Sequence, residues 1–240
     1  MAFPSTVLGA RLFIVATPIG NLEDITFRAV RILSEVSLIA AEDTRKTKIL
    51  LNKYEIRTPL TSYHKFNIRS KTDQLINEIE QGRNIALVSD AGMPAISDPG
   101  YELVRAAVER GIRVEPIPGA SAAITALAAS GLPTDEFHFI GFLPRKPGKK
   151  RKTLEGLRDL SATLIIYESP FRLLKTLAEI RETLGERQLA VCRELTKKFE
   201  EIIRGKAGEV LEKLKGRNIK GEVVVVAAGS GQAAQRESAS

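Results

Sequence analysis

The stretch IALVSDAGMPAISDPGYELVRAAVERGIRVEPI, residues 85–117, decides the fold class. It opens with a continuous apolar run, Ile85–Ser89, which is typical of a strand buried on both faces of a parallel sheet. An amphipathic helix is predicted next, because Asp98-Pro99 is a plausible N-cap followed by a first-turn proline, and this helix stops near Gly111. A second short apolar run, Val114–Ile117, completes a strand–helix–strand unit. The stretch therefore predicts an α/β fold.

The same alternation of short apolar runs and helical patterns extends along the whole chain. Further strands are predicted at Leu12–Ala16, Val36–Ala41, Pro59–Tyr63, His138–Phe142, Thr163–Tyr167, Leu189–Arg193, Glu200–Arg204 and Glu222–Ala227. The first half predicts a doubly wound, mainly parallel sheet, and the second half predicts a mixed sheet with helices. Pro116–Gly119 interrupts the pattern, so we expect one α/β domain at residues 11–118 and another at 119–229. The small, polar residues 230–240 are expected to be disordered.

Composition narrows the functional classes. The net charge of +7 favours an anionic partner, above all nucleic acid. Cys192 is the one cysteine and lies in an apolar run, so it is predicted to be a buried small side chain. With only His64 and His138 beside it, neither a disulfide nor a metal site is expected. The apolar runs are too short for a membrane span, so we expect a cytoplasmic protein.

Two loops that follow predicted strands have the composition of ligand loops. The segment VSDAGMPAISDPG, Val88–Gly100, passes from a strand into Asp and small residues, and open α/β sheets bind ligands at such strand ends. We favour a site there over an ordinary turn. The segment ATPIGNLEDIT, Ala16–Thr26, lacks the signature of a phosphate-binding loop. Its alternative interpretation is a plain loop in which Asn21 or Asp24 caps a helix.

Two further segments can each be interpreted either as part of a binding site or as a structural element. Pro118–Ala123 holds small residues that would admit a ligand between domains, or it is a tight linker in which Ser121 caps a helix. Ala41–Lys46 combines two acids with two bases, which suits acid–base chemistry or an RNA phosphate. Alternatively, Asp43 or Thr44 caps a helix there and the bases are solvated.

Together these segments resemble the tetrapyrrole methylase superfamily, whose members bind S-adenosylmethionine between two α/β domains. The resemblance covers residues 11–229, and within the superfamily it is close to the branch that methylates small-subunit ribosomal RNA. The motifs that carry it are ATPIGNLEDIT (16–26), AEDTR (41–45), SYHKFN (62–67), VSDAGMPAISDPG (88–100), PGASAAITALAASGLP (118–133), GFLPRK (141–146), YESPFR (167–172) and CRELTK (192–197). The pair Lys65-Phe66 departs from the more polar pair expected there.

The resemblance implies 2′-O-methylation of a cytidine ribose in the decoding centre of 16S rRNA, within the small ribosomal subunit, by a homodimer. It also implies a cofactor cleft between the domains. The residues it assigns to S-adenosylmethionine are Pro18, Asp90, Gly92, Met93, Ser121, Ala122 and Tyr167.

Removal of the ribose hydroxyl proton invites a general base. Glu42, Asp43 and His64 are candidates, and the residues do not decide among them. The run from Arg145 to Lys152 is predicted to be a flexible basic loop that clamps RNA. The expected RNA contacts are Arg45, Lys46, Arg145, Lys146, Lys149, Lys150, Arg151 and Lys152. Two alternatives stay open: a methyltransferase for a small precorrin-type tetrapyrrole, and an RNA-binding module without activity.

Overall fold

A computed structural model describes residues 9–231, which divide into two compact units, one ending at Ser121 and the other beginning at Ala122. The strands are β1 (Arg11–Val15), β2 (Leu38–Ala41), β3 (Leu60–Ser62), β4 (Ile85–Val88), β5 (Arg113–Ile117), β6 (Phe137–Phe142), β7 (Thr163–Glu168), β8 (Gln188–Arg193), β9 (Glu201–Lys206) and β10 (Val223–Ala227). The helices are α1 (Phe27–Glu35), α2 (Thr44–Lys53), α3 (Ile68–Glu80), α4 (Tyr101–Glu109), α5 (Ala122–Ser130), α6 (Pro147–Gly156), α7 (Leu173–Leu184) and α8 (Ala207–Leu214).

The first unit contains a five-stranded sheet in the order β3-β2-β4-β1-β5, and all its pairs are parallel. Successive strand residues point to opposite faces and fill two separate cores. Phe13 and Val15 of β1 belong to the core shared with α1 and α2, whereas Leu12 and Ile14 belong to the core shared with α3 and α4. Helices therefore cover both faces, and the predicted doubly wound sheet is confirmed.

The second unit contains a mixed sheet in the order β6-β7-β10-β8-β9, as the sequence predicts. The pair β6–β7 is parallel and the other pairs are antiparallel. One face packs against α6, α7 and α8 through Leu154, Leu177 and Val210. Cys192 in β8 is buried as predicted, and burial raises the pKa of its thiol to about 11. Such a thiol is a packing residue rather than a nucleophile.

Helix α4 begins later than predicted. Its N-cap is Gly100, with φ 149°, and the first helical residue is Tyr101. Glycine suits this backbone conformation, which L side chains rarely adopt. The prediction that Asp98-Pro99 caps and starts the helix is therefore wrong, and the Asp98 carboxylate is available for other contacts.

The basic segment after β6 is a helix and not the predicted flexible loop. Pro147 stands in the first turn of α6, where its missing N–H costs nothing and its fixed φ favours helix, so Pro-Gly here starts a helix rather than marking a loop. Helix α7 begins at Leu173, and α8 begins at Ala207 directly after β9.

Ser230 is the first residue of the predicted C-terminal tail, and it is hydrogen-bonded to the second unit. Ser230 donates from its backbone N–H to the Leu160 carbonyl at 2.8 Å and from its hydroxyl to the Asp159 carbonyl at 2.8 Å. Ser230 is therefore anchored to the second unit. The rest of that prediction, residues 232–240, lies outside the described residues. Among residues 9–231, no helix has the length and apolarity needed to cross a membrane.

Candidate active site at the carboxyl edge of the parallel sheet

All five strands of the first unit are parallel, so the loops that follow them share one edge of the sheet. The loop after β1 leads to α1 on one face, and the loop after the adjacent strand β4 leads to α4 on the other face. This divergence is a topological switch point, where open α/β sheets bind ligands. The two loops are joined there, because Thr17 and Gly92 exchange backbone hydrogen bonds of 2.9 Å in both directions.

Asp90 connects the loop after β4 to the start of α2. Its Oδ1 accepts a hydrogen bond from the Asp43 backbone N–H at 3.0 Å, and its Oδ2 lies 2.7 Å from Lys46 Nζ. The hydrogen bond to Asp90 raises the pKa of Lys46. Since β2 and β4 are neighbours, residues that are 47 positions apart in sequence meet at one edge.

A cavity of about 180 Å³ opens beside this contact. It is lined by Thr17, Pro18, Leu22, Lys46, Thr47, Ile49, Leu50, Ser89 and Asp90. Three of the sequence segments singled out as ligand loops, those after β1, β2 and β4, thus converge on one depression.

Two more carboxylates, those of Glu42 and Asp98, interact electrostatically with Asp90. Burial raises the pKa of Glu42, and the charge of Asp90 raises it further. Burial also raises the pKa of Asp98 to about 6, with the charges of Glu42 and Asp90 adding to the effect. The sequence prediction missed Asp98 because it assigned this residue to a helix cap. The available signal was that Asp98 lies in the same strand-end loop as Asp90. Within residues 9–231, no group of His, Cys, Asp and Glu is arranged to hold a metal ion.

The three candidate bases differ in their surroundings. Asp43 caps α2 by accepting from the Arg45 backbone N–H at 2.9 Å, and Arg45 also binds it through Nε at 3.0 Å and Nη2 at 2.8 Å. These contacts hold the pKa of Asp43 well below its ordinary value. His64 follows β3, and its Nδ1 is buried without a hydrogen-bond partner among the described residues. Glu42 combines a raised pKa with a partly exposed carboxylate.

Comparison with known proteins identifies the family. The model of the tetrapyrrole (corrin/porphyrin) methylases matches residues 11–211 of the chain. A protein of Halalkalibacterium halodurans named ribosomal RNA small subunit methyltransferase I is 55% identical over 226 residues, which are 94% of this chain and 78% of that protein. The chain belongs to the tetrapyrrole methylase family.

A second relative at high identity carries the same name. A second ribosomal RNA small subunit methyltransferase I, from Bacillus subtilis, is 52% identical over 219 residues, covering 91% of this chain and 75% of that protein. Among solved structures, a uroporphyrin-III C-methyltransferase from Thermus thermophilus, complexed with S-adenyl homocysteine, aligns with a TM-score of 0.62. It is 19% identical and covers 90% of this chain and 97% of that chain, which establishes a shared fold.

The residues that the family resemblance assigns to the cofactor fall into four places. Pro18 and Asp90 line the cavity, and Gly92 lies in the Thr17–Gly92 bridge beside it. Met93 packs against the core formed with α3 and α4. Ser121 and Ala122 stand where the two units join in sequence, and Tyr167 belongs to β7 of the second unit. There the Tyr167 ring packs edge-on against Phe139 and Phe142, with centroids 5.0 and 5.6 Å apart.

The residues predicted to contact RNA are not equally accessible. Arg45, Lys46, Arg145, Lys146, Lys149, Arg151 and Lys152 are exposed. Lys150 is buried at 3% exposure, donates to Thr176 Oγ1 at 3.0 Å and pairs with Glu179 at 2.5 Å. The prediction of Lys150 as an RNA contact is therefore corrected. Its helical position turns it toward α7, and a buried, paired ammonium is not free to meet a phosphate.

Proposed function

We propose that this chain transfers the methyl group of S-adenosylmethionine to the ribose 2′-oxygen of a cytidine in 16S rRNA. The observation that carries the proposal is the identity of 52 and 55%, over more than nine tenths of the chain, to proteins named ribosomal RNA small subunit methyltransferase I. The family resemblance adds the decoding centre as the target, the small ribosomal subunit as the substrate particle, a homodimeric enzyme and a cytoplasmic location.

The carboxyl edge of the first unit fits the cofactor electrostatically. Burial raises the pKa of Glu42 and of Asp98, and repulsion from the Asp90 carboxylate raises both further. A cationic group beside them relieves that repulsion, and S-adenosylmethionine carries both an ammonium and a sulfonium. When bound, the cofactor supplies an electrophilic methyl group. Pro18, Asp90, Gly92 and Met93 are its proposed contacts in this unit, and Ser121, Ala122 and Tyr167 remain proposed from the resemblance.

Glu42 is the proposed general base. A base must be unprotonated and not committed to another strong partner, and its pKa is best placed near the working pH. Burial and Asp90 move the pKa of Glu42 in that direction. Asp43 fails this requirement, because three contacts from Arg45 stabilise its ionised form. His64 remains the second candidate, since its Nδ1 is buried without a hydrogen-bond partner among the described residues.

The exposed cations at the start of α6 and α2 are proposed to bind the RNA backbone. Lys149, Arg151 and Lys152 project from α6, a firm helix held against α7 by the buried Lys150–Glu179 pair. Phosphate contacts of this kind position RNA without reading its sequence. Arg145, Lys146, Arg45 and Lys46 complete the proposed set.

The test offers two acceptors to the purified protein with radiolabelled S-adenosylmethionine. Unmethylated small ribosomal subunits should accept label, and uroporphyrinogen III should not. Label on the tetrapyrrole alone would replace this proposal with the small-molecule alternative. Absence of calorimetric binding of S-adenosylmethionine would instead support an RNA-binding module without activity.

A further inference from the structure

Phe66 is an exposed aromatic residue on the edge that carries the candidate active site. It lies in the loop after β3, and 84% of its surface is accessible. Lys65 Nζ stands 4.9 Å from the centroid of its ring, and the His64 ring packs against it edge-on at 6.0 Å. The ring therefore has a cation and an imidazole beside it, and most of its surface is open to solvent.

The turn that presents Phe66 is firmly built. The Tyr63 backbone N–H donates to the carbonyl of Ala41 at the end of β2 at 2.7 Å. The Asn67 side chain accepts from the His64 backbone N–H at 2.8 Å and donates to the Ser62 carbonyl at 3.1 Å. An aromatic ring on such a turn loses little conformational freedom when it binds a partner.

This turn also lies beside the proposed base. The Lys65 ammonium is one of the charges that act on the Glu42 carboxylate, after burial and Asp90. The hydrogen bond from Tyr63 to Ala41 places the start of this turn beside the residue that precedes Glu42, at the ends of the neighbouring strands β2 and β3.

The charge around Phe66 identifies the class of partner. Residues 63–72, which include the turn and the first part of α3, contain Lys65, Arg69 and Lys71 and no acid. A partner that presents a flat ring to Phe66 and negative charge to these cations is a nucleic acid. A second copy of the chain would bring two positive surfaces together, which opposes association.

We infer that Phe66 is a base-stacking residue that holds an unpaired nucleobase of the RNA next to the reacting ribose. Stacking of bases on aromatic side chains is the usual way in which single-stranded RNA is held, and a neighbouring cation adds to it. The inference rests on the proposed function, since it names how that site holds its substrate.

The first test is kinetic and uses unmethylated small subunits. Phe66→Ala should lower kcat/KM for subunits about 5- to 100-fold, the range expected for loss of one base–aromatic stack, and should leave S-adenosylmethionine affinity unchanged. Phe66→Tyr keeps the ring and should stay near wild type. The matched control is Phe199→Ala, since Phe199 is also exposed and has Lys198 Nζ 5.7 Å from its ring, but lies in the second unit.

The second test does not need turnover. The chain has no tryptophan, so Phe66→Trp introduces a single indole that can be excited selectively over the four tyrosines. Titration with a short single-stranded RNA that contains an unpaired cytidine should quench its emission, and Phe199→Trp should respond weakly. If wild type methylates nothing but the quenching occurs, the proposed function fails, and Phe66 is left as an RNA-binding residue without a reacting ribose beside it.

Three outcomes would overturn the inference. One is an unchanged kcat/KM in Phe66→Ala, together with an unquenched Phe66→Trp. Another is an equal loss of activity in Phe66→Ala and Phe199→Ala. The third is a changed oligomeric mass of Phe66→Ala with unchanged subunit kinetics, which would assign the ring to a protein interface.

Discussion

The carboxylate of Asp90 accepts a hydrogen bond from the backbone N–H of Asp43 at 3.0 Å, and this contact joins the ends of two neighbouring strands. Through it, the loop that lines the cavity fixes the first turn of α2. Lys46 of that helix donates from its Nζ to the other carboxylate oxygen of Asp90, Oδ2, at 2.7 Å. One side chain therefore shapes the cavity, orients Lys46 and sets the charge felt by Glu42.

Asp90→Ala is expected to weaken S-adenosylmethionine binding about tenfold or more, because a lost buried polar contact costs on the order of 1–3 kcal/mol. Calorimetry measures the affinity, and circular dichroism checks that the variant is folded. Asp73→Ala, at an exposed position on α3, is the control and should bind normally. An Asp90→Ala variant with wild-type affinity would remove Asp90 from the cofactor site.

Glu42→Gln is expected to slow turnover ~10²–10⁴-fold while sparing cofactor affinity, since it deletes a proton acceptor and keeps the shape of the side chain. Asp43→Asn should be far milder, because Asn still offers an oxygen to cap α2. In wild type, turnover should rise with pH as Glu42 ionises, at a pH above the ordinary carboxyl range because its pKa is raised. Near-normal turnover in Glu42→Gln would leave His64 or solvent as the base.

Asp98 should make stability depend on pH. Its pKa is raised from 3.8 to about 6 by burial and by the charges of Glu42 and Asp90, so between these values the folded protein holds a proton that the unfolded chain has released. The resulting stabilisation is complete below the unfolded pKa and is lost as pH rises through the folded pKa.

Asp98→Asn should therefore raise the melting temperature at neutral pH and flatten its decline across the mildly acidic range. Thermal unfolding at a series of pH values measures both effects. Asp24→Asn, at an exposed position, should change neither. A lower melting temperature of Asp98→Asn at neutral pH would contradict the assigned environment.

The exposed cations of α6 should determine part of the salt dependence of RNA binding. Each phosphate contact on single-stranded RNA contributes about 0.7 to the slope of log affinity against log salt, so replacing Lys149, Arg151 and Lys152 with Ala should flatten the slope by about 2. Filter binding of rRNA at several salt concentrations measures it. An unaltered slope and KM would show that these cations are merely solvated.

The adjacent Lys150 provides the matched comparison. Lys150→Met leaves Glu179 without its buried cation, so it should lower the melting temperature. Because Lys150 is not exposed, the salt slope should stay unchanged. A changed slope with wild-type stability would return Lys150 to the RNA surface.

Local sequence was sufficient for most of the fold. The runs that became β1, β4 and β10 are continuous apolar stretches, and burial on both faces of a sheet requires that composition. The start of α6 was missed because Pro147-Gly148 favours a turn and a first helical turn about equally, and the contact that decides, Lys150 with Glu179, lies 29 residues away.

The site was predictable in outline and not in detail. The strand-end loops with Asp90 and Pro18 could be identified because parallel strands place such loops at one edge. The interaction of Asp98 with Glu42 could not, because it depends on β2 and β4 being neighbours, and no local pattern specifies that order. The backbone at Ala95 and Ser97 is left-handed, with φ of 68° and 64°. This could not be predicted either, because Ala and Ser rarely adopt that conformation and nothing in the local sequence marks it.

Ribose methylation is tested most directly by locating the transferred methyl group in the rRNA. Small subunits methylated by the protein are stripped to 16S rRNA and hydrolysed in alkali, which cleaves after every nucleotide whose ribose 2′-oxygen is free. We expect all transferred label to appear in an alkali-resistant dinucleotide that begins with cytidine, and a partial alkaline ladder of the same rRNA to lack one band, in the decoding centre. Label that is released with alkali-sensitive nucleotides would place the methyl group on a base and contradict ribose 2′-O-methylation.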